Sequence, residues 1–195
     1  MARPRQFDEQ QLLDAATDLF WSKGFDATSI DDVSAATGVG NGSIYAAYGS
    51  KMGLFLLAFE RYCDQRAAFV EEVMGSSHGS ARDAAHDFFD AIIADCAGQP
   101  GRRGCLMVSS VALLTPRVPE VATLSRRATD RMEHSLAARL SAVLDRPAEE
   151  LSALSAHLVL VSQGLIQLSR QGASRERLQE IAAISVEALP AFVTA

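Results

Sequence analysis

Cysteine is scarce in this chain and poorly spaced for crosslinking. Cys63, Cys96 and Cys105 are odd in number and show no C-x-x-C spacing, which argues against a disulfide framework and against a structural zinc site. Positive charge is also in short supply, with a formal net charge of −6. Within residues 1–51, four basic side chains (Arg3, Arg5, Lys23 and Lys51) stand against seven acidic ones. Bulk charge therefore offers no warrant for nucleic-acid binding, and any such function must rest on a few cations placed where phosphates would lie. The N-terminus lacks the apolar h-region of a signal peptide. Apolar runs such as residues 158–166 are far shorter than the ~20 residues that cross a bilayer. The expectation is a cytoplasmic protein with no membrane partner.

Catalytic signatures are missing too. There is no glycine-rich phosphate loop, no G-x-S-x-G and no H-E-x-x-H, and the four histidines are scattered. The paired carboxylates Asp31-Asp32 and Glu149-Glu150 fall at helix starts, where they complement the helix dipole without any catalytic role. His86 and Asp90 at i, i+4 have no third ligand in range. The reading predicts no enzyme activity, no cofactor and no metal.

What the chain does contain is helical periodicity. Apolar spacing at i, i+3 and i+4 recurs along its length, while period-2 alternation of β-branched residues is absent. With 48% hydrophobic residues over 195 positions, one or two cores need no staple. An all-α fold of about nine helices is predicted. Asp8 caps the first helix, which places Leu12, Ala16, Leu19 and Phe20 on one face and stops at Gly24. Ser29 to Asp32 forms a Ser-x-x-Asp box that starts a short second helix, ended by Gly38. A third short helix spans about Asn41 to Tyr48, and Ser50 caps a long fourth helix over about 51–74. Residues 75–80 and 98–101 read as loops. Helices carrying Phe88 and Ile92, 105–114, Val121 to Leu140, 148–171 and 174–192 complete the chain.

The segment 28–51 is the informative one. Two short helices joined by a glycine-containing turn, with Val33, Val39, Ile44 and Ala47 as buried spacing, suit a helix-turn-helix. The second of these helices opens with Gly40, Asn41, Gly42 and Ser43 and presents Tyr45 and Tyr48. Small side chains at a helix start let backbone amides approach phosphate or a groove floor. Asn can read an adenine edge, Ser can bond either base, and tyrosine hydroxyls reach phosphates. Lys51 and the arm Arg3-Pro4-Arg5 are the available cations.

These residues resemble the DNA-binding domain of the Tet repressor (TetR) family. The matching positions are Thr28-Ser29, Thr37-Gly38-Val39, Ser43-Ile44-Tyr45, Tyr48 and Ser50-Lys51, with Leu19-Phe20 and Gly24-Phe25 upstream. Ser34 stands where the family usually has alanine, and is still small. The resemblance implies phosphate contacts from Thr28 (with Ser29 beside it), Tyr45, Tyr48 and Lys51. It implies base or groove contacts from Gly40, Asn41, Gly42 and Ser43. It further implies a helix-turn-helix domain over 1–51 and a helical ligand-sensing and dimerisation domain over 52–195. The last two helices would pair across a two-fold axis, with Leu154, Leu158, Val161, Leu165, Ile181, Ile184, Ser185 and Ala188 at the interface. A homodimer on a palindromic double-stranded DNA operator, released by an unknown small-molecule effector, follows from that picture.

Three further readings remain open at this level. Phe88, Phe89, Ile92, Met107, Leu113, Met132 and Leu136 are candidates for an apolar ligand pocket, although at helical spacing such residues are usually plain core. Cys105 follows Arg102 and Arg103 and opens a helix, an arrangement that would favour a thiolate and a redox sensor. A helical adaptor that binds only protein, without DNA affinity, is the alternative from another class. Repressor and activator share the same DNA-binding half, and the resemblance implies a repressor, released from its operator by a small-molecule or redox signal.

Overall fold

The computed structural model describes residues 7–189, and every regular element among them is helical. The arm Arg3 to Arg5 and Phe192 lie outside the described residues. Helix α1 (Glu9–Lys23) begins where the Asp8 carboxylate accepts the backbone N–H groups of Gln10 and Gln11, and closes where the Gly24 N–H reaches the Phe20 carbonyl. Helix α2 (Ile30–Thr37) opens on the Ser29–Asp32 capping box and ends at Gly38. Gly38 adopts φ 71° and ψ 4°, the left-handed conformation that L side chains adopt at a steric penalty. Helix α3 (Asn41–Tyr48) follows at once, and α4 (Lys51–Ser76) starts on a Ser50 cap. The first turn of α4 passes so close to α3 that a Cβ on Gly53 would collide with the Tyr48 carbonyl oxygen.

The larger half contains α5 (Ala81–Gly98), α6 (Leu106–Leu114), α7 (Pro119–Ser141), α8 (Ala148–Arg170) and α9 (Arg175–Glu187). A 3-10 turn (Pro100–Arg102) stands inside the expected loop. The most extensive packing is between α4 and α7, with α8 against α7 and α5, and α9 against α5 and α8. The seam between α4 and α7 is rimmed by Arg131, which forks onto both oxygens of Glu71 and reaches Asp64 at 2.9 Å. Exposed pairs of this kind contribute little each. The apolar stripe Val121, Ala128, Met132, Leu136 and Leu140 of α7, all buried, supplies the bulk of the cohesion.

Helix α8 bears on two expectations. Among the described residues it alone is long and apolar enough by composition to cross a membrane, a test that a buried core helix passes as well. It also carries buried Ser155, Ser162 and Ser169, of which the first two return their hydroxyls to the helix's own carbonyls. The expectation it corrects concerns the interface. Leu158 and Leu165, expected between protomers, are 0% and 1% exposed inside the chain's own core. The apolar side chains that α8 and α9 leave uncovered are Leu160 and Ile184, at 67% and 69% exposure. Leu154, Val161, Ile181 and Ser185 are half-buried and Ala188 is exposed. Replacing Leu158 by alanine is expected to lower the unfolding free energy by about 2–5 kcal/mol in a urea titration, with no change in association state by light scattering.

Candidate nucleic-acid interface

The face built by α2 and α3 is small and shaped by what anchors it. Ile44 is fully buried and Tyr48 is 7% exposed, so one side of α3 is fixed in the core with Val33 of α2. The opposite side exposes Gly40, Gly42, Ser43 and Tyr45, the last at 49%. Gly40 stands at the N-cap, and no side chain caps the helix. The first turn of α3 contains no acidic residue of its own, which leaves its exposed amides free to face an anion. Asn41 is half-buried and donates its side-chain N–H to the Asp31 carboxylate, tying the start of α3 to the first turn of α2.

Four of the expected contact residues have internal duties. Thr28 is 1% exposed and donates its hydroxyl to the Gly24 carbonyl at 2.7 Å, so it closes the turn between α1 and α2. Ser29 is exposed but engaged in the capping box with Asp32. Tyr48 is packed as a core side chain. Lys51, expected as a phosphate-binding cation, donates its ammonium to the carbonyls of Phe25 (3.0 Å) and Thr28 (2.9 Å) and sits 4.4 Å from the Phe25 ring centre. The physical reason is that the 25–28 turn directs several carbonyls to one point, which a long cationic side chain satisfies. Gly40, Asn41, Gly42, Ser43 and Tyr45 are thus the expected residues that share an accessible surface.

Charge around this surface is largely paired. Lys23 bridges Asp32 at 2.7 Å. That ammonium, followed by the Ser29 hydroxyl and amide, holds the Asp32 carboxyl well below the ordinary carboxylate range. With a depressed folded-state pKa, this contribution to stability is present above the ordinary range and is lost as pH falls through the lowered value. Asp26 is likewise held low, first by its hydrogen bond to Arg117.

Sequence reasoning missed the ties between this head and the rest of the chain. Arg103 reaches Asp18 of α1 at 2.8 Å and lies over the Trp21 ring at 4.1 Å. Arg117 bridges Asp26 in the turn between α1 and α2. These pairs are separated by 85 and 91 positions, and no local pattern announces them.

The same geometry removes the basis for a sensor at Cys105. Arg103 is turned to α1, and Arg102 donates to the Ser169 and Ala173 carbonyls, so neither cation serves the thiol. Cys105 is 6% exposed and accepts the Tyr62 hydroxyl at 3.6 Å. Burial, then the neighbouring Cys105, pushes the Cys63 thiol up to about 12. Of the expected pocket residues, Ile92, Met107 and Met132 line a cavity of about 20 Å³ beside Cys105. Phe88, Phe89 and Leu136 are core, each 1% exposed, and Leu113 is 70% exposed at a different place.

Comparison with known proteins places this arrangement. The family model for bacterial regulatory proteins of the tetR family matches residues 12–58. The chain is 31% identical to the HTH-type transcriptional repressor ComR of Escherichia coli (strain K12) over 195 residues, 98% of this chain and 93% of that protein. It is 27% identical to the HTH-type transcriptional repressor BdcR of the same strain, over 96% of this chain and 91% of that one. A structure of a cysteine-substituted form of the TetR family regulator CifR, complexed with 26-bp double-strand operator DNA, superposes with a TM-score of 0.79. That match has 27% identity and covers 97% of this chain and 100% of the other.

Two substitutions separate anchoring from contact. Lys51→Met is expected to lower stability by about 1–3 kcal/mol, because it strands buried carbonyls. Tyr45→Ala, at an exposed site, is expected to stay within about 0.5 kcal/mol of the parent. Parallel urea titrations of the two variants check both values.

Proposed function

This chain belongs to the tetR family of bacterial regulatory proteins, and from that premise we propose that it is a dimeric, ligand-responsive repressor that binds a palindromic operator. The observation that carries the reading is the uncapped, side-chain-poor start of α3, exposed beside Tyr45 on a helix anchored by Ile44. Such a helix enters a major groove with its amides facing phosphate and with Asn41 and Ser43 near base edges. With few side chains able to read bases, sequence choice leans on DNA shape as well. Repression is favoured over activation because ComR and BdcR, similar along nearly the whole chain, are repressors. The reading assigns the chain no catalysis and places it in the cytoplasm.

Residues 1–51 form the DNA head in this proposal, and 52–195 form the sensing and dimerisation half, with α4 joining them. The dimer face centres on Leu160 and Ile184, flanked by Val161, Ile181, Ser185 and Ala188. A cavity of about 20 Å³ holds roughly one water molecule. An effector in that place must therefore stabilise a more open state, and it shifts the equilibrium only by its preference for that state.

Fluorescence anisotropy on DNA from upstream of the protein's own gene, over a salt series, tests the reading. The expected outcome is tight binding that weakens as salt rises and that Tyr45→Ala reduces by about 1 kcal/mol or more, the loss of a hydrogen bond to phosphate. No binding even to a random-sequence DNA library would instead favour a protein-binding adaptor. A second expectation concerns assembly. Ile184→Glu should convert the dimer to monomer by sedimentation analysis, since it places a charge where an apolar surface is covered.

A further inference from the structure

We propose that the effector binds at the seam between the DNA head and α6, outside the core cavity, and that it is a small aromatic carboxylate. A crevice of about 320 Å³ opens there, walled by Phe20, Phe25, Phe55, Leu106 and Leu114. That volume is in the range of small-molecule pockets, and it dwarfs the 20 Å³ cavity in the core. The walls are aromatic from the head side and aliphatic from α6, a slot for a flat apolar body. Leu113 extends from α6 along its edge and is 70% exposed, an apolar side chain with surface left to cover.

The polar end of the occupant is set by charge. Lys23, Asp26 and Arg170 are the ionisable groups that line the crevice. Lys23 is paired with Asp32 and Asp26 with Arg117. Arg170 is different: its guanidinium donates to the neutral Ser109 hydroxyl at 3.2 Å, and no carboxylate bridges it among the described residues. Its stem lies against Gly104, where a Cβ would stand 2.9 Å from the Arg170 Cδ. A side chain at Gly104 would press on the Arg170 stem, which lines the crevice. A guanidinium held there and short of an anion accepts a carboxylate through two parallel hydrogen bonds. An aromatic acid satisfies both ends of the site at once.

The position gives the site a consequence. Helix α6 is tied to the head at both ends, by Arg103 to Asp18 and by Arg117 to Asp26. An occupant between α6 and the turn after α1 bears on both ties. This deepens the ligand-responsive reading by naming a chemical class for the effector.

Trp21, the one tryptophan of the chain, lines the crevice, so its indole N–H resonance is a built-in reporter. The test titrates 2-naphthoate into the full-length protein without DNA and follows that single resonance. A saturable shift is expected, with Arg170→Gln weakening binding by about tenfold or more, the loss of a charge-assisted pair. The neutral analogue 2-naphthamide, used on the unaltered protein, should bind weaker by a similar factor. No saturable shift, or equal affinity for the acid, the amide and the Arg170→Gln protein, overturns the proposal. Because no DNA is present, a failed titration counts against this site and leaves the operator-binding reading standing.

Discussion

One side chain holds the DNA head in register with the rest of the molecule. The Lys51 ammonium, in the first turn of α4, gathers the carbonyls of Phe25 and Thr28 and faces the Phe25 ring. The turn between α1 and α2 has no secondary structure to satisfy those carbonyls, and buried acceptors without partners are expensive. Lys51 settles that debt from α4, so the turn cannot move without α4. The aromatic stack reinforces the link: Phe20 and Phe25 each approach Phe55 of α4 with ring centres 5.1 Å apart. Since α2 and α3 are built on that turn, the direction of the exposed α3 surface is set by the direction of α4. A charge that looks functional in the sequence is thus the structural pin on which the functional surface depends.

The second constraint is the length of α4 and what lies along it. Its N-terminal turns carry the head, and its later turns pack along α7, where Arg131 and Arg127 bridge to its acidic face. Helix α6 stands between the two halves. Its first turn, at Leu106 and Met107, touches Tyr62 of α4 and the core cavity, and its last residues face the turn after α1. Packed interiors transmit small displacements because they have no slack to absorb them. Helix α6 thus touches α4 directly, and the segments that flank it pair with the head through Arg103 and Arg117.

Much of this was legible in the sequence, and the part that was not has a physical pattern. Asp8, Ser29 and Ser50 are caps, and Gly24, Gly38 and Gly49 are stops, because those roles depend on local backbone chemistry that a few residues specify. The exposed start of α3 was readable for the same reason. Roles that depend on distant partners were not. Thr28, Tyr48 and Lys51 carry internal packing and hydrogen bonds that their sequence context did not announce. Helix α8 is apolar nearly all round, and periodicity alone could not say that Leu158 faces inward while Leu160 faces out. The same holds for α6: Leu113 and Met107 lie on one short helix, but one is 70% and the other 4% exposed.

The acidity of the head, which argued against DNA binding in the composition, looks different once its partners are placed. Asp32 is neutralised by Lys23 within the head. Asp14, Asp18 and Asp26 are met by Arg61, Arg103 and Arg117, all of which belong to α4 or later segments. Asp31 accepts the Asn41 amide and keeps its charge. Counting only residues 1–51 therefore overstates the repulsion a phosphate would meet, because the larger half lends the head three guanidinium groups. These pairs are partly exposed and individually weak contributors to stability. Their effect on an approaching polyanion is of another kind, since DNA phosphates within a Debye length of about 10 Å sense the net charge of each pair. The same contacts that fasten the head to the larger half also lower its negative field. In this molecule, attachment of the head and relief of its negative charge reside in one set of side chains.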